Sequence, residues 1–138
     1  MKRQIFLYTF FILIIGPASQ AHEGHDHEGP ISIPAPKGGI IKSLEGTSVE
    51  VVSRGKEIKM YLYDKETKPQ STSGFLVAAK VELPRTKKQE AITLTAKDTF
   101  YEATYDAKGL HRYTLLISIK DLKTGHDDKL SFTIEPKK

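Results

Sequence analysis

The chain has 138 residues, with 21 Lys and Arg against 17 Asp and Glu, a formal net charge of +4 and no cysteine. This length suits one domain after any targeting segment, and the lack of cysteine excludes both a disulfide framework and a thiol nucleophile. Lys and Glu alternate along the predicted strands and do not form a basic face with interleaved aromatic residues. The sequence therefore argues against nucleic-acid binding.

The first 21 residues have the three-part pattern of a cleavable secretory signal. Lys2-Arg3 form a short positive region, residues 5–15 follow without a charge, and Gly16-Pro17 end the apolar run before Ser19-Gln20-Ala21. The run is shorter than the about 20 apolar residues that a membrane-spanning helix needs, which disfavours an uncleaved anchor. We therefore predict cleavage after Ala21, a mature chain that starts at His22 without a membrane span, and a periplasmic location.

Residues 22–37 form a leader of histidine, acidic residues, glycine and proline. Proline fixes its own backbone angle and donates no hydrogen bond, so we expect this leader to be extended and mobile. A folded domain is predicted to follow over residues 38–138.

The domain is predicted to be all-β. From residue 40 onward the apolar residues recur with period two, separated by turn-forming segments such as 53–56, 106–109 and 123–125. About seven short strands with one apolar face each predict an antiparallel, immunoglobulin-like sandwich, in which two sheets bury those faces against one another. A small β-barrel is the alternative.

Three of the five histidines fall within six residues of the leader, at His22, His25 and His27, with Glu23 and Asp26 between them. Neutral imidazole is a good ligand for Cu, Zn, Ni and Co, and the carboxylates raise the local concentration of cations. Cleavage before His22 would let its α-amine chelate together with its imidazole. The cluster therefore predicts a transition-metal site at His22, His25 and His27; a polar leader without a ligand is the alternative.

Other candidate sites carry weaker signals. A zinc-protease motif needs histidines four residues apart on a helix, and Asp26 stands where the second histidine would be required. His111 is interpreted as a strand residue, and His126 beside Asp127-Asp128 as a polar turn that could supply a second ligand set.

Nucleophile elbows, phosphate loops and paired carboxylates in an apolar setting are absent from the sequence, so we predict no enzymatic activity. An oxidase or oxygenase centred on an N-terminal histidine would need a rigid surrounding that the proline-rich leader does not favour.

The chain resembles a group of small periplasmic proteins associated with heavy-metal efflux systems of the resistance-nodulation-division type. The matching residues are the exported His-Glu-Gly-His-Asp-His leader, the segments 36–41 and 49–52, the strand 58–64 and the late hairpin 101–116. In related sequences a histidine often precedes the double glycine, and Lys37 takes that position here. The resemblance implies an immunoglobulin-like accessory protein of metal homeostasis, with a periplasmic efflux component as a possible partner.

Two functional hypotheses follow. The first is a periplasmic metal-binding accessory protein whose site is the leader. The second is an immunoglobulin-like interaction module that docks onto an envelope complex through the leader or a sheet edge and has no metal role.

Overall fold

The computed structural model describes residues 33–136, which form nine β-strands and a short 3-10 helix at Thr72–Gly74. In chain order the strands are β1 Ile40–Ser43, β2 Ser48–Arg54, β3 Glu57–Tyr63, β4 Phe75–Glu82, β5 Gln89–Ile92, β6 Thr95–Ala96, β7 Phe100–Thr104, β8 Tyr113–Asp121 and β9 Asp127–Ile134.

These strands form two antiparallel sheets. The first, which we call sheet A, has the order β1-β2-β3-β7-β6, and sheet B has the order β5-β4-β8-β9. The two sheets stay separate in the described residues and do not close on one another, so the barrel alternative is wrong and the predicted all-β sandwich is confirmed.

The core lies between the sheets and consists of the alternate residues that the period-two pattern predicts. On β8, for example, Tyr113, Leu115, Ile117 and Ile119 are buried. They pack with the inward residues of β2, β3, β4, β7 and β9 in one cluster. Because successive strand residues point to opposite faces, the polar residues between them lie on the outer faces of the two sheets.

Short turns set the register at the predicted positions. Arg54 pairs with Glu57 across the two-residue β2–β3 turn, where Gly55 has φ of 59° and so takes a backbone conformation that glycine adopts without strain. Between β8 and β9, Asp121 Oδ1 accepts the backbone N–H of Lys123 at 2.8 Å and of Thr124 at 3.2 Å. Both segments were expected to turn, and both do.

About seven strands were expected, and the structure has nine. β1 pairs with β2 at the edge of sheet A, and β6 has only two residues. The chain leaves sheet B at the end of β5 and joins sheet A as β6, so one extended segment is shared between the two sheets. None of the helical structure in the described part is long and apolar enough to cross a membrane.

Candidate functional site

A buried carboxylate on the outer face of sheet A is the most unusual polar feature of the described residues. Val49 and Val51 point into the core, so Glu50 between them points outward, yet its side chain is 0% exposed. Glu50 pairs with Ile41 on β1 and with Tyr61 on β3, so it lies in the interior of the sheet. Burial of a carboxylate destabilises the folded state unless the carboxylate is hydrogen-bonded, so Glu50 needs partners within the protein.

The segment that precedes β1 supplies most of those partners. Glu50 Oε1 accepts the backbone N–H groups of Lys37 at 2.9 Å and Gly39 at 2.8 Å. Its Oε2 accepts the N–H of Lys37 at 3.1 Å and the hydroxyl of Tyr63 at 2.8 Å. We call this arrangement the N-terminal clamp: the Glu50 carboxylate, the Tyr63 hydroxyl, and the backbone of Lys37 and Gly39.

The two glycines that follow Lys37 have separate physical roles. Gly38 closes a reverse turn by donating its N–H to the carbonyl of Ala35 at 3.0 Å, and it has φ of 74°. A Cβ at Gly39 would lie 2.3 Å from the carbonyl oxygen of Val51, which is far inside van der Waals contact. Only glycine therefore lets the chain approach β2 closely enough for the N–H of Gly39 to reach Glu50.

Side chains around the clamp continue the packing across sheet A. The Lys37 ammonium lies 5.6 Å from the centre of the Tyr61 ring, within the range of a cation–π contact. Tyr61 in turn packs against Phe100 on β7, with ring centres 5.4 Å apart. Burial and the hydrogen bond to Glu50 raise the pKa of Tyr63 well above its usual range, so the phenol stays neutral and continues to donate.

The chemistry available to Glu50 follows from this geometry. A carboxylate has about four lone-pair positions, and Glu50 already accepts four hydrogen-bond contacts from three donors. Binding a metal ion would require the carboxylate to give up one or more of those donors. The clamp is therefore a structural anchor that fixes residues 35–39 over the outer face of sheet A.

The predicted metal ligands His22, His25 and His27 lie outside the described residues, as do the predicted signal peptide and most of the leader. The last residues of the predicted leader are described. Lys37, where the leader was expected to end, is held by Glu50 and contacts the sandwich.

The two remaining histidines are far apart in the fold. His111 is exposed and precedes β8, which begins at Tyr113 rather than at the histidine. His126 is exposed next to the start of β9, and its Nε2 lies 3.5 Å from Asp128 Oδ1. They therefore occupy opposite ends of β8 and do not form one site.

His126, Asp121 and Asp128 line an open cavity of about 280 Å³ at the end of the sandwich, together with Thr124 and Phe75. Asp127 and Asp128 are adjacent on a strand and so point to opposite faces, which separates the two carboxylates that the sequence places together. Within residues 33–136, no group of three or more His, Asp or Glu side chains is arranged to hold a metal ion.

The clamp was not predicted from the sequence, although its residues are part of segments already noted there. The residues cited for the family resemblance include Lys37-Gly38-Gly39, Glu50 and Tyr63, and the structure brings these separate segments together. A carboxylate in an otherwise apolar run, Val49-Glu50-Val51-Val52, was the available signal.

Comparison with known protein families, with curated proteins and with solved structures finds no match.

Proposed function

We propose that the protein is an exported, periplasmic metal-binding accessory protein that supports heavy-metal efflux or homeostasis. The observation that carries this proposal is the sequence His22-Glu23-Gly24-His25-Asp26-His27. It places three imidazoles and two carboxylates within six residues directly after a predicted cleavage site. Solubility alone is provided by Glu and Lys and does not call for histidine.

The chemistry of the cluster suits a site that loads and releases its ion. In an extended chain His25 and His27 project to the same side, and an N-terminal His22 offers its amine and imidazole to the same ion. A segment that must be ordered when the ion binds loses affinity relative to a preformed site. This combination favours a scavenger or relay over a permanently occupied structural centre.

The N-terminal clamp supports the proposal because it attaches the end of the leader to the folded domain. Glu50 fixes the backbone of Lys37 and Gly39 to β2, so the described part of the leader has a defined attachment point. In the periplasmic proteins that this chain resembles, a histidine often precedes the double glycine, and Lys37 takes that position here. The Lys37 ammonium lies over the Tyr61 ring. The ligands proposed for this chain are accordingly His22, His25 and His27, with the sandwich as their carrier.

Calorimetric titration of residues 22–138 with Cu(II), Ni(II) and Zn(II) tests the proposal. The mature protein should bind about one ion per chain, and binding should weaken below about pH 6.5, because imidazole must be neutral to coordinate. A His22→Ala/His25→Ala/His27→Ala variant should lose this binding.

A His111→Ala/His126→Ala variant is the matched control and should titrate like the wild type. Equal binding by the wild type and the leader variant would refute the proposed site. Loss of binding in the control alone would move the site to the sandwich.

A further inference from the structure

Charge is distributed unevenly between the two ends of the sandwich. The β2–β3, β4–β5 and β7–β8 connections lie at one end: Tyr105 donates its N–H to the carbonyl of Lys56 at 2.8 Å, and Thr114 pairs with Glu82. We call this the basic end. It carries eight cationic side chains against five carboxylates: Lys37, Arg54, Lys56, Arg85, Lys87, Lys88, Lys108 and Arg112 against Glu57, Glu82, Glu90, Asp106 and Glu135.

The opposite end of the sandwich has the reverse balance. It carries five cations against seven carboxylates: Lys65, Lys68, Lys97, Lys120 and Lys123 against Glu45, Asp64, Glu66, Asp98, Asp121, Asp127 and Asp128. The described domain is therefore electrostatically polar along its strands. An extended anionic surface would attract one end and repel the other, and so orient the molecule.

Some cations at the basic end are paired with carboxylates, and others make no ion pair within the described residues. Lys56 pairs with Asp106 at 2.8 Å, while Lys87 and Lys88 lie 3.5 and 3.7 Å from Glu82 and Glu90. Within the described part of the chain, Arg85, Lys108 and Arg112 make no ion pair. The side chains of Lys87 and Lys88 are 73% and 68% exposed, so most of each side chain is in contact with solvent.

The arrangement of these cations indicates the shape of the partner. They come from three separate connections at one end of the sandwich, so a broad surface can meet all three connections at once. We propose that the basic end docks onto the surface of an anionic lipid bilayer. Each Lys or Arg that comes close to such a surface strengthens binding by about fivefold, and salt weakens the attraction.

Co-sedimentation with vesicles tests this proposal on the mature protein, residues 22–138, with a chelator present so that metal plays no part. Vesicles of phosphatidylcholine with about 30% phosphatidylglycerol should bind the protein, and pure phosphatidylcholine vesicles should not. Raising the salt from about 50 mM to about 500 mM should release it. An Arg85→Glu/Lys88→Glu/Arg112→Glu variant should bind at least about a hundredfold more weakly.

The matched control reverses three charges at the opposite end, in a Lys65→Glu/Lys68→Glu/Lys123→Glu variant. Both variants change the net charge equally and replace exposed residues, so circular dichroism should show both folded. Only the first should lose vesicle binding. Equal loss by both variants, equal binding to neutral vesicles, or binding to soluble polyglutamate without binding to vesicles would each overturn the proposal.

Discussion

At the residue scale, Glu50 is an outward-facing strand residue that is buried because a distant segment of the chain covers it. The alternation of Val49, Glu50 and Val51 predicts an outward carboxylate, and the structure does place it on the outer face of sheet A. It is nevertheless fully buried, because residues 35–39 cover it and donate two backbone N–H groups to it. Its partners are 11 to 13 positions away in the sequence.

Glu50→Gln should destabilise the domain by about 2–4 kcal/mol, because the amide loses charge-assisted bonds and turns a buried N–H₂ toward the N–H donors of the clamp. Glu57→Gln on the same face is the control; Glu57 is partly exposed and pairs with Lys59, so its loss should cost much less than that of Glu50. Urea unfolding of both variants measures the difference. Equal stabilities would show that Glu50 is not an anchor.

Tyr63 makes the clamp sensitive to alkaline pH. Burial raises the pKa of Tyr63, and the hydrogen bond to Glu50 raises it further, so the folded protein favours the neutral phenol. This stabilisation is complete below the unfolded pKa of about 10 and is lost as pH rises from there through the raised folded pKa. Burial also raises the pKa of Tyr101 and of Tyr113.

We therefore expect the urea midpoint of the wild type to fall as pH rises above about 10. Tyr63→Phe should be less stable at neutral pH by about 1.5–3 kcal/mol, because it loses a hydrogen bond to a charged group. It should also show a shallower decline at alkaline pH. A decline as steep as that of the wild type would rule out Tyr63 as a contributor.

At the element scale, the local pattern predicts the central strands and misses the contacts that depend on distant segments. Period-two alternation predicts β8, because its inward residues are apolar and its turns have characteristic residues. β1 was missed, since it is a four-residue edge strand whose residues are mostly exposed. The proposed metal site is a cluster of neighbouring residues, His22 to His27, so the sequence alone indicates it. The clamp could not be predicted in this way, because residues 37, 39, 50 and 63 meet only in the fold.

Two truncations separate the leader from the clamp. Deleting residues 22–32 should leave the thermal midpoint almost unchanged, because this segment consists mostly of polar residues and glycine. Deleting residues 22–39 also removes the N–H groups that Glu50 accepts and should lower the midpoint by about 10 °C. Melting curves for the two proteins provide the comparison. Equal midpoints would place the stabilising contacts elsewhere.

Neighbouring leucines on β8 test the two faces of sheet B. Leu115 is 0% exposed in the core, whereas Leu116 lies on the outer face. Leu115→Ala should therefore cost about 2–5 kcal/mol, because it removes buried methyl groups and leaves a cavity. Leu116→Ala should cost much less. Similar unfolding free energies for the two variants would mean that the register of β8 is wrong.

At the scale of the whole molecule, the histidine-rich leader precedes an all-β sandwich in the sequence, and the N-terminal clamp holds Lys37 and Gly39 against that sandwich. The sandwich and the clamp are structural features of the described residues, whereas export and metal binding are proposals that rest on residues 1–27. The membrane-docking proposal concerns separate residues at the basic end. It can fail without affecting the metal site, since its assay is carried out with a chelator.

Native mass spectrometry of the protein, expressed from the full-length chain, recovered from the periplasm and supplied with Cu(II), tests the central claim most directly. We predict the mass of residues 22–138 plus one ion per chain, and the same polypeptide without the ion for the His22→Ala/His25→Ala/His27→Ala variant. A chain that retains residues 1–21, or wild-type and variant proteins that carry the same number of ions, would contradict the account.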